Sequence, residues 1–243
     1  MNKEYLQNIR NLLDKMEETQ CDTIDAVAEA CAQSIKNGGL LYFFGTGHSH
    51  MICEEPFYRA GGLAAVYPIL ESTLMLHEGG SKSSIYERLE GIGNIAIAQN
   101  GVGKGDVVFL ISNSGRNCAC IDAALEAKKL GAVTVAITSL NHSNGVTSRH
   151  PNGKRLFEVC DYVLDNGGVI GDACVNLEGL NESIAPTSTV LDVTMVNMVI
   201  VNTVEKLLAM GVTPPVFTSA NTDKGDSANK SIIEEYKKRV KIL

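Results

Sequence analysis

The sequence lacks the features of proteins that span membranes, enter the secretory pathway or bind nucleic acid. No apolar run approaches the ~18 residues that a membrane-spanning helix requires. Residues 1–5 do not begin a hydrophobic signal segment. The 28 acidic residues outnumber the 21 basic ones, which gives a net charge of −7, and no basic block precedes residues 237–239. We therefore expect a soluble cytoplasmic protein with no membrane partner and no nucleic-acid partner.

The cysteines do not form a disulfide or metal-binding pattern. All seven are scattered, their number is odd, and no Cys-x-x-Cys pair occurs. We interpret them as reduced and mostly buried, and the pair Cys118 and Cys120 as structural rather than metal-binding. With 44% apolar and 20% charged residues, 243 residues can bury a large core without disulfides or structural metals.

The chain contains no proline-rich or serine-rich linker and no internal repeat, which predicts a single domain over residues 1–243. Residues 1–37 carry apolar residues at helical spacing, with a candidate break near residues 20–22. The glycines after Asn37 end this predicted helix. We expect the core of the domain at residues 38–210, followed by a C-terminal loop and helix at residues 211–243.

Short apolar runs alternate with predicted helices in that core. Each run is too short for a helix and too continuous for a half-exposed antiparallel strand. The pattern predicts an α/β fold with a doubly wound, five-stranded parallel sheet flanked by helices, and helical extensions at both ends. The predicted strands are 40–44, 64–69, 107–111, 133–138 and 162–164, and the predicted helices are 50–60, 83–99, 117–130 and 188–210.

Ligands of such sheets bind beyond the carboxyl ends of the strands, so the loops that follow the strands are the candidate sites. The first loop has the sequence G-T-G-H-S at residues 45–49. Its glycines let the backbone approach a ligand closely, and the following helix start offers N–H groups to an anion. A dinucleotide-binding loop would need a third glycine where His50 stands, and no Walker sequence occurs. A nucleotide-binding enzyme is therefore a remote alternative.

Two further helix starts are rich in hydroxyl and amide groups. The sequence S-N-S-G-R-N at residues 112–117 follows the third predicted strand, and P-T-S-T at residues 186–189 opens a long apolar helix. Helix capping is the alternative interpretation, because serine, threonine and asparagine are favoured N-caps. A cap needs one such residue, however, and these loops carry several. We expect the three helix starts to converge on one anion site.

The G-x-G-x-S and S-x-S-G loops, about 65 residues apart, and the later P-T-S-T helix start resemble the sugar isomerase (SIS) domain over about residues 38–210. The chain looks closest to stand-alone SIS proteins, some of which are labelled phosphoheptose isomerases. The resemblance implies a flavodoxin-like sheet that binds a phosphorylated sugar. It also implies a homodimer or homotetramer in which neighbouring subunits complete the pocket.

The resemblance assigns binding roles by position. Phosphate binding falls to residues of the first two loops, and binding of phosphate or sugar hydroxyls to the third. The residues are Gly47, His48, Ser49, Ser112, Asn113, Ser114, Gly115, Asn117, Thr187 and Ser188. By that resemblance, members of the phosphoheptose isomerase subgroup carry G-N-G-G-S at the first loop, followed by a His and a Glu that serve metal binding and catalysis. The matching positions here are Glu55 and Arg59, so we expect no metal held in that manner and no cofactor.

Aldose–ketose isomerisation needs a base that moves a proton between adjacent carbons and a group that helps to open the sugar ring. Glu182, close to the third loop, is the first candidate base, with a capping or interface contact as its structural alternative. Glu55 lies behind the first loop and could instead pair with Arg59. His77, in a glycine-flanked segment after the second strand, could instead pack or cap.

The sequence therefore predicts a phosphosugar-binding protein, and specifically a sugar-phosphate isomerase that transfers a proton without a metal through an enediol. Two alternatives within the resemblance stay open. One is a non-catalytic module that senses a carbohydrate phosphate. The other is a lyase that cleaves ethers of amino-sugar phosphates.

Overall fold

A five-stranded parallel sheet forms the centre of the protein in a computed structural model that describes residues 3–219 and 225–243. Its strands are β1 (Leu41–Gly45), β2 (Val66–Ile69), β3 (Val107–Ile111), β4 (Val133–Thr138) and β5 (Tyr162–Asp165). The spatial order is β2-β1-β3-β4-β5, and every neighbouring pair is parallel. The predicted fold class is confirmed, and each strand lies within two residues of its predicted bounds.

The strands are continuously apolar because helices cover both faces of the sheet. Every residue of β1 and β3 is buried. Phe43 of β1 stacks on Phe109 of β3 with ring centroids 4.4 Å apart. The hydrophobic core that surrounds them extends from Met16 to Val240. The predicted single domain over residues 1–243 stays a prediction.

The helices surround the sheet and extend beyond it at both ends. They are α1 (Glu4–Lys36), α2 (His50–Glu54), α3 (Gly80–Tyr86), α4 (Ile92–Gln99), α5 (Cys118–Lys129), α6 (Leu140–Asn144), α7 (Ser188–Ala209) and α8 (Gly225–Tyr236). A short antiparallel hairpin, β6 (Ala173–Val175) and β7 (Ile184–Pro186), precedes α7. The sequence indicated neither this hairpin nor α6.

Several helix bounds differ from the predicted ones for identifiable reasons. The helix α1 has no break at residues 20–22, because Ile24 and Val27 continue its buried face. The helix predicted at 50–60 ends at Glu54, just before Pro56, whose ring is incompatible with the preceding helical turn. The helix predicted at 83–99 is divided in two, and Gly91 adopts φ +83° between α3 and α4.

In the described ranges, no helix combines the length and the hydropathy of a membrane span. The cytoplasmic location stays a prediction. The predicted polar loop before the C-terminal helix includes residues 220–224, which lie outside the described residues. The C-terminal helix, predicted within residues 211–243, begins at Gly225 and ends at Tyr236.

Candidate functional site at the carboxyl edge of the sheet

The order of the strands reverses between β1 and β3, and this reversal opens a crevice at the carboxyl edge of the sheet. From β1 the chain first turns to β2 on one side and later reaches β3 on the other. Gly45 and Ile111, the last residues of β1 and β3, are paired in register. The two loops that follow these strands therefore start side by side. In open α/β sheets this is the place where ligands bind.

The loop after β1 folds tightly and leaves backbone donors available. A Cβ atom on Gly45 would lie 2.8 Å from the carbonyl oxygen of Ser49, so only glycine fits there. Gly47 adopts φ +56°, the left-handed region that glycine occupies without strain. The N–H groups of Gly47 and His48 donate to no group in residues 3–219 or 225–243. This loop can therefore offer two donors to an anion.

The loop after β3 offers more donors. The N–H groups of Ser114, Arg116, Asn117 and Cys118 donate to no other described group. The N–H of Gly115 instead donates to the carbonyl oxygen and to the hydroxyl oxygen of Ser112, at 3.1 and 3.2 Å. This turn needs φ +58° at Gly115. The result is an uncapped start of α5, which attracts anions through its free N–H groups and its dipole.

The capping interpretation can be examined directly at these helix starts. No side chain caps α5, since Asn117 at the N-cap position accepts a hydrogen bond from Arg149 Nη1 at 2.8 Å instead. Thr46 and Ser49 likewise make no cap hydrogen bond at the helical turns after β1. In contrast, Ser139 does cap α6, through the N–H of His142. Capping therefore does not explain the polar residues of the first two loops.

The third predicted loop is different, because a carboxylate of the chain already fills the start of α7. Asp172 Oδ1 accepts hydrogen bonds from the N–H groups of Thr187 and Ser188, at 3.0 and 2.8 Å. Its Oδ2 atom accepts one from the Ser188 hydroxyl at 2.6 Å. A ligand anion would have to displace Asp172 to reach these two residues, and their predicted binding role stays a prediction.

Asn113 belongs to a buried polar network that joins three segments. Asn166, just after β5, donates from Nδ2 to Asn113 Oδ1 at 3.1 Å and to Asp192 Oδ1 at 2.8 Å. Burial raises the pKa of Asp192 to about 7, the hydrogen bond from Asn166 opposes this shift, and the charge of Asp172 adds to it. The network fixes the loop after β3 relative to α7.

Three arginines approach the open start of α5. Arg149 donates to Asn117, and its N–H donates to the carbonyl oxygen of Arg116 at 2.8 Å. Partial desolvation, and then the charges of Arg116 and Arg88, hold the pKa of Arg149 below its ordinary value, while Glu87 acts in the opposite direction. Arg88, Arg116 and Arg149 therefore lie within electrostatic reach of one another, with the carboxylate of Glu87 beside them.

The predicted catalytic side chains are not brought together. Glu182 is exposed between β6 and β7 and contacts no described side chain by hydrogen bond or ion pair. Glu55 lies just after α2 and forms an ion pair with Arg59, the structural alternative considered for it. His77 is exposed on a 3₁₀ turn whose Leu76 lies next to Gly47. The segment of His77 adjoins the loop after β1 through Leu76.

Sequence reasoning missed Glu87, which lies between the two loops of the crevice. Its Oε2 atom accepts a hydrogen bond from the Thr46 hydroxyl at 2.8 Å. Its backbone oxygen accepts one from the N–H of Ala119, in the first turn of α5, at 3.0 Å. The side chain is half-buried and forms no ion pair within the described part of the chain. The glycine at position 91 was the available signal, since a break there ends α3 close to this edge of the sheet.

Metal ligands are not grouped in the part of the chain that the structure describes. No three His, Cys, Asp or Glu side chains lie together as a potential metal site there. The predicted metal-free reaction stays a prediction.

Comparisons with known proteins agree with this architecture. A family model described as the SIS domain matches residues 4–139. A UPF0309 protein of Geobacillus thermodenitrificans is 42% identical over 240 residues, which are 99% of this chain and 96% of the relative. A UPF0309 protein of Listeria innocua is 40% identical over 239 residues, 98% of this chain and 97% of the relative. The resemblance drawn from the two loops is confirmed.

Solved structures share the fold at low sequence identity. A phosphoheptose isomerase from Francisella tularensis matches with a TM-score of 0.50 and 15% sequence identity. The match covers 83% of this chain and 95% of the isomerase chain. The NanR protein of Vibrio vulnificus, solved in complex with ManNAc-6P, has a TM-score of 0.50 and 15% identity, covering 98% of this chain and 68% of its own. At such identities the similarity shows the fold alone.

Proposed function

Because this chain belongs to the SIS domain family, we propose that it binds a phosphorylated sugar in the crevice between β1 and β3 and interconverts the aldose and ketose forms of that sugar. The phosphate lies against the loop after β3, and the sugar extends toward the loop after β1. Gly47, His48, Ser49 and the residues of the second loop are the proposed binding residues.

The open start of α5 is the observation that carries this proposal. A phosphate monoester presents three strong acceptor oxygens. Four N–H groups and the Ser114 hydroxyl lie in this turn, and no side chain in residues 3–219 or 225–243 accepts a hydrogen bond from them. Hydrogen bonds to a charged acceptor are about twice as strong as neutral ones. The site therefore favours a phosphate over a neutral hydroxyl group.

Glu87 is the carboxylate that the geometry favours as the base. It lies in the crevice between both loops, and the Thr46 hydroxyl orients it. In the proposed reaction the carboxylate removes the proton from C2 of the open-chain aldose. The electrons of the C2–H bond form the C1=C2 double bond while the carbonyl oxygen O1 takes up a proton from water, which gives the enediol. The carboxylic acid then returns its proton to C1 as the O2 hydrogen passes to water, which yields the ketose. Glu55 and Glu182 stay predicted alternatives for this role, and His77 stays a candidate for ring opening.

A non-catalytic sugar-phosphate binder is the second candidate. Its support is that the three side chains predicted for catalysis are exposed or paired, whereas the backbone donors of the binding loops are unpaired. An ether lyase for amino-sugar phosphates is distinguished from both by release of the ether substituent as a hydroxy acid.

Exchange of the C2 hydrogen in deuterated water tests the proposal. Sugar phosphates that bind are incubated with the protein, and deuterium at C2 is followed by NMR. We expect exchange with the wild type and a loss of about 10²- to 10⁴-fold in Glu87→Gln, the range for removal of a general base. Glu18→Gln, on the exposed face of α1, is the matched control. Binding without exchange of any bound sugar phosphate would favour the non-catalytic alternative.

A further inference from the structure

Three arginines near the loop after β3 have no carboxylate partner within the described part of the protein. Arg88, Arg116 and Arg149, here called the arginine cluster, come from three different segments that the fold brings together. Within residues 3–219 and 225–243 none of them forms an ion pair with a carboxylate. Arg116 donates only a long hydrogen bond of 3.4 Å from Nη2 to the Thr147 hydroxyl, and its Nε atom is buried without a partner.

The surroundings of the cluster do not neutralise it. The charges of Arg116 and Arg88 both disfavour the charged form of Arg149. The one acidic group that acts on Arg149 in the opposite sense, Glu87, accepts its hydrogen bond from Thr46 rather than from an arginine. A buried, unpaired guanidinium nitrogen is unfavourable unless a ligand satisfies it.

The phosphate of the proposed substrate does not require the cluster. Four N–H groups and the Ser114 hydroxyl at the start of α5 already match the three phosphate oxygens. The guanidinium of Arg149, which lies in the loop after α6, donates to Asn117 Oδ1 at the N-cap position of α5. The planar fork of an arginine suits a carboxylate or a phosphate equally well.

From this surplus we infer that the substrate is a sugar phosphate with a second anionic group, a carboxylate or a second phosphate, which the arginine cluster binds. The inference rests on the proposed function, since it takes the first phosphate to occupy the start of α5. The second anion accepts hydrogen bonds from the guanidinium groups of Arg149 and Arg116, and Arg88 contributes its positive charge.

Calorimetric titration with three related compounds tests the inference. Glucose 6-phosphate carries one anionic group, 6-phosphogluconate carries a phosphate and a carboxylate, and glucose 1,6-bisphosphate carries two phosphates. We expect at least one of the latter two to bind 10-fold or more tightly than glucose 6-phosphate. Which of them does so identifies the second anion.

Variants of the cluster assign this preference to the arginines. Arg149→Gln should reduce the preference to less than 3-fold, Arg149→Lys should keep part of it, and Arg10→Gln, on the exposed face of α1, should keep all of it. Arg116→Gln should act in the same direction as Arg149→Gln. Thermal unfolding of each variant confirms that it is folded.

Two results would overturn the inference while leaving the proposed function intact. One is binding of glucose 6-phosphate with no preference for either compound that carries a second anion. The other is an equal loss of affinity for all three compounds in Arg149→Gln, which would place the arginine on the first phosphate. If neither these compounds nor inorganic phosphate bind at all, the proposed function fails together with the inference.

Discussion

Single side chains determine which helix starts in this fold are open to a ligand. At α7, Asp172 accepts hydrogen bonds from the first N–H groups and so supplies the anion from within the chain. At α5, Asn117 turns to Arg149, and the N–H groups are left for an external anion. Both arrangements satisfy the same preference of a helix N-terminus for negative charge. They differ only in where the charge comes from.

The buried carboxyl group of Asp192 predicts a pH dependence of stability. Its pKa in the folded protein is about 7, whereas an unperturbed aspartate titrates near 3.9. Between these values the folded state holds a proton that the unfolded state has lost, so the contribution of Asp192 to stability falls as the pH rises from about 4 to 7. As the pH rises over this interval, we expect the free energy of unfolding of Asp192→Asn to increase by about 2–4 kcal/mol relative to that of the wild type, because one pKa unit corresponds to about 1.4 kcal/mol.

Urea unfolding of both proteins at several pH values between 4 and 7.5 measures this difference. Asparagine can still accept the hydrogen bond from Asn166, so the variant isolates the charge. Asp14→Asn, at an exposed position of α1, is the control and should run parallel to the wild type. If the free energy of unfolding of Asp192→Asn changes with pH in parallel with that of the wild type, the raised pKa of Asp192 is contradicted.

The residues that sequence reasoning missed act through partners far along the chain. Glu87 contacts Thr46, which is 41 residues away, and Asp172 caps a helix that begins about 15 residues later. Neither position carries a local pattern, because the hydrogen bonds arise from tertiary packing. The glycines and serines of the two loops were predictable, since their roles depend on the turns that they themselves form.

At the scale of elements, the sheet was predictable and the short connecting elements were not. Buried parallel strands need continuous apolar runs, which stand out in the sequence. The hairpin of β6 and β7 has three residues in each strand and exposes Ile184, so it lacks both length and a buried face. The division between α3 and α4 depends on one glycine, which a helix tolerates at modest cost.

The turn after β3 makes a prediction for Gly115. An alanine there would require φ +58°, and its Cβ would lie 2.8 Å from the Ser143 hydroxyl oxygen. We expect Gly115→Ala to lower the free energy of unfolding by about 1–3 kcal/mol, the range for a strained backbone position. It should also weaken sugar-phosphate binding, because the displaced turn carries the N–H groups of the site.

Gly103→Ala is a matched control for this variant. A Cβ atom on Gly103 meets no atom within 4 Å, and its φ is not in the left-handed region. Urea unfolding and a binding titration of the two variants therefore separate the general effect of alanine from the specific requirement of the turn. Equal stabilities of the two variants would contradict the account of the loop.

The whole molecule combines a negative net charge with a group of three arginines beside the crevice. The sequence shows the total of −7, but only the fold brings positions 88, 116 and 149 to one edge of the sheet. Arginines grouped in this way attract an anion at short range in spite of the overall charge. Exposed apolar side chains on α7, with Val201 57% and Leu208 61% exposed, are consistent with the predicted homodimer or homotetramer. That assembly stays a prediction.

The central claim is that the open start of α5 binds the phosphate of a sugar phosphate. Calorimetric titration of the wild type, Ser114→Ala and the exposed control Ser84→Ala with sugar phosphates and their unphosphorylated parents tests it most directly. We predict binding of a sugar phosphate but not of its parent, and an affinity loss of about 10- to 150-fold in Ser114→Ala, for a charged hydrogen bond of about 1.5–3 kcal/mol. Equal affinity for sugar and sugar phosphate, or unchanged affinity in Ser114→Ala, would contradict the claim.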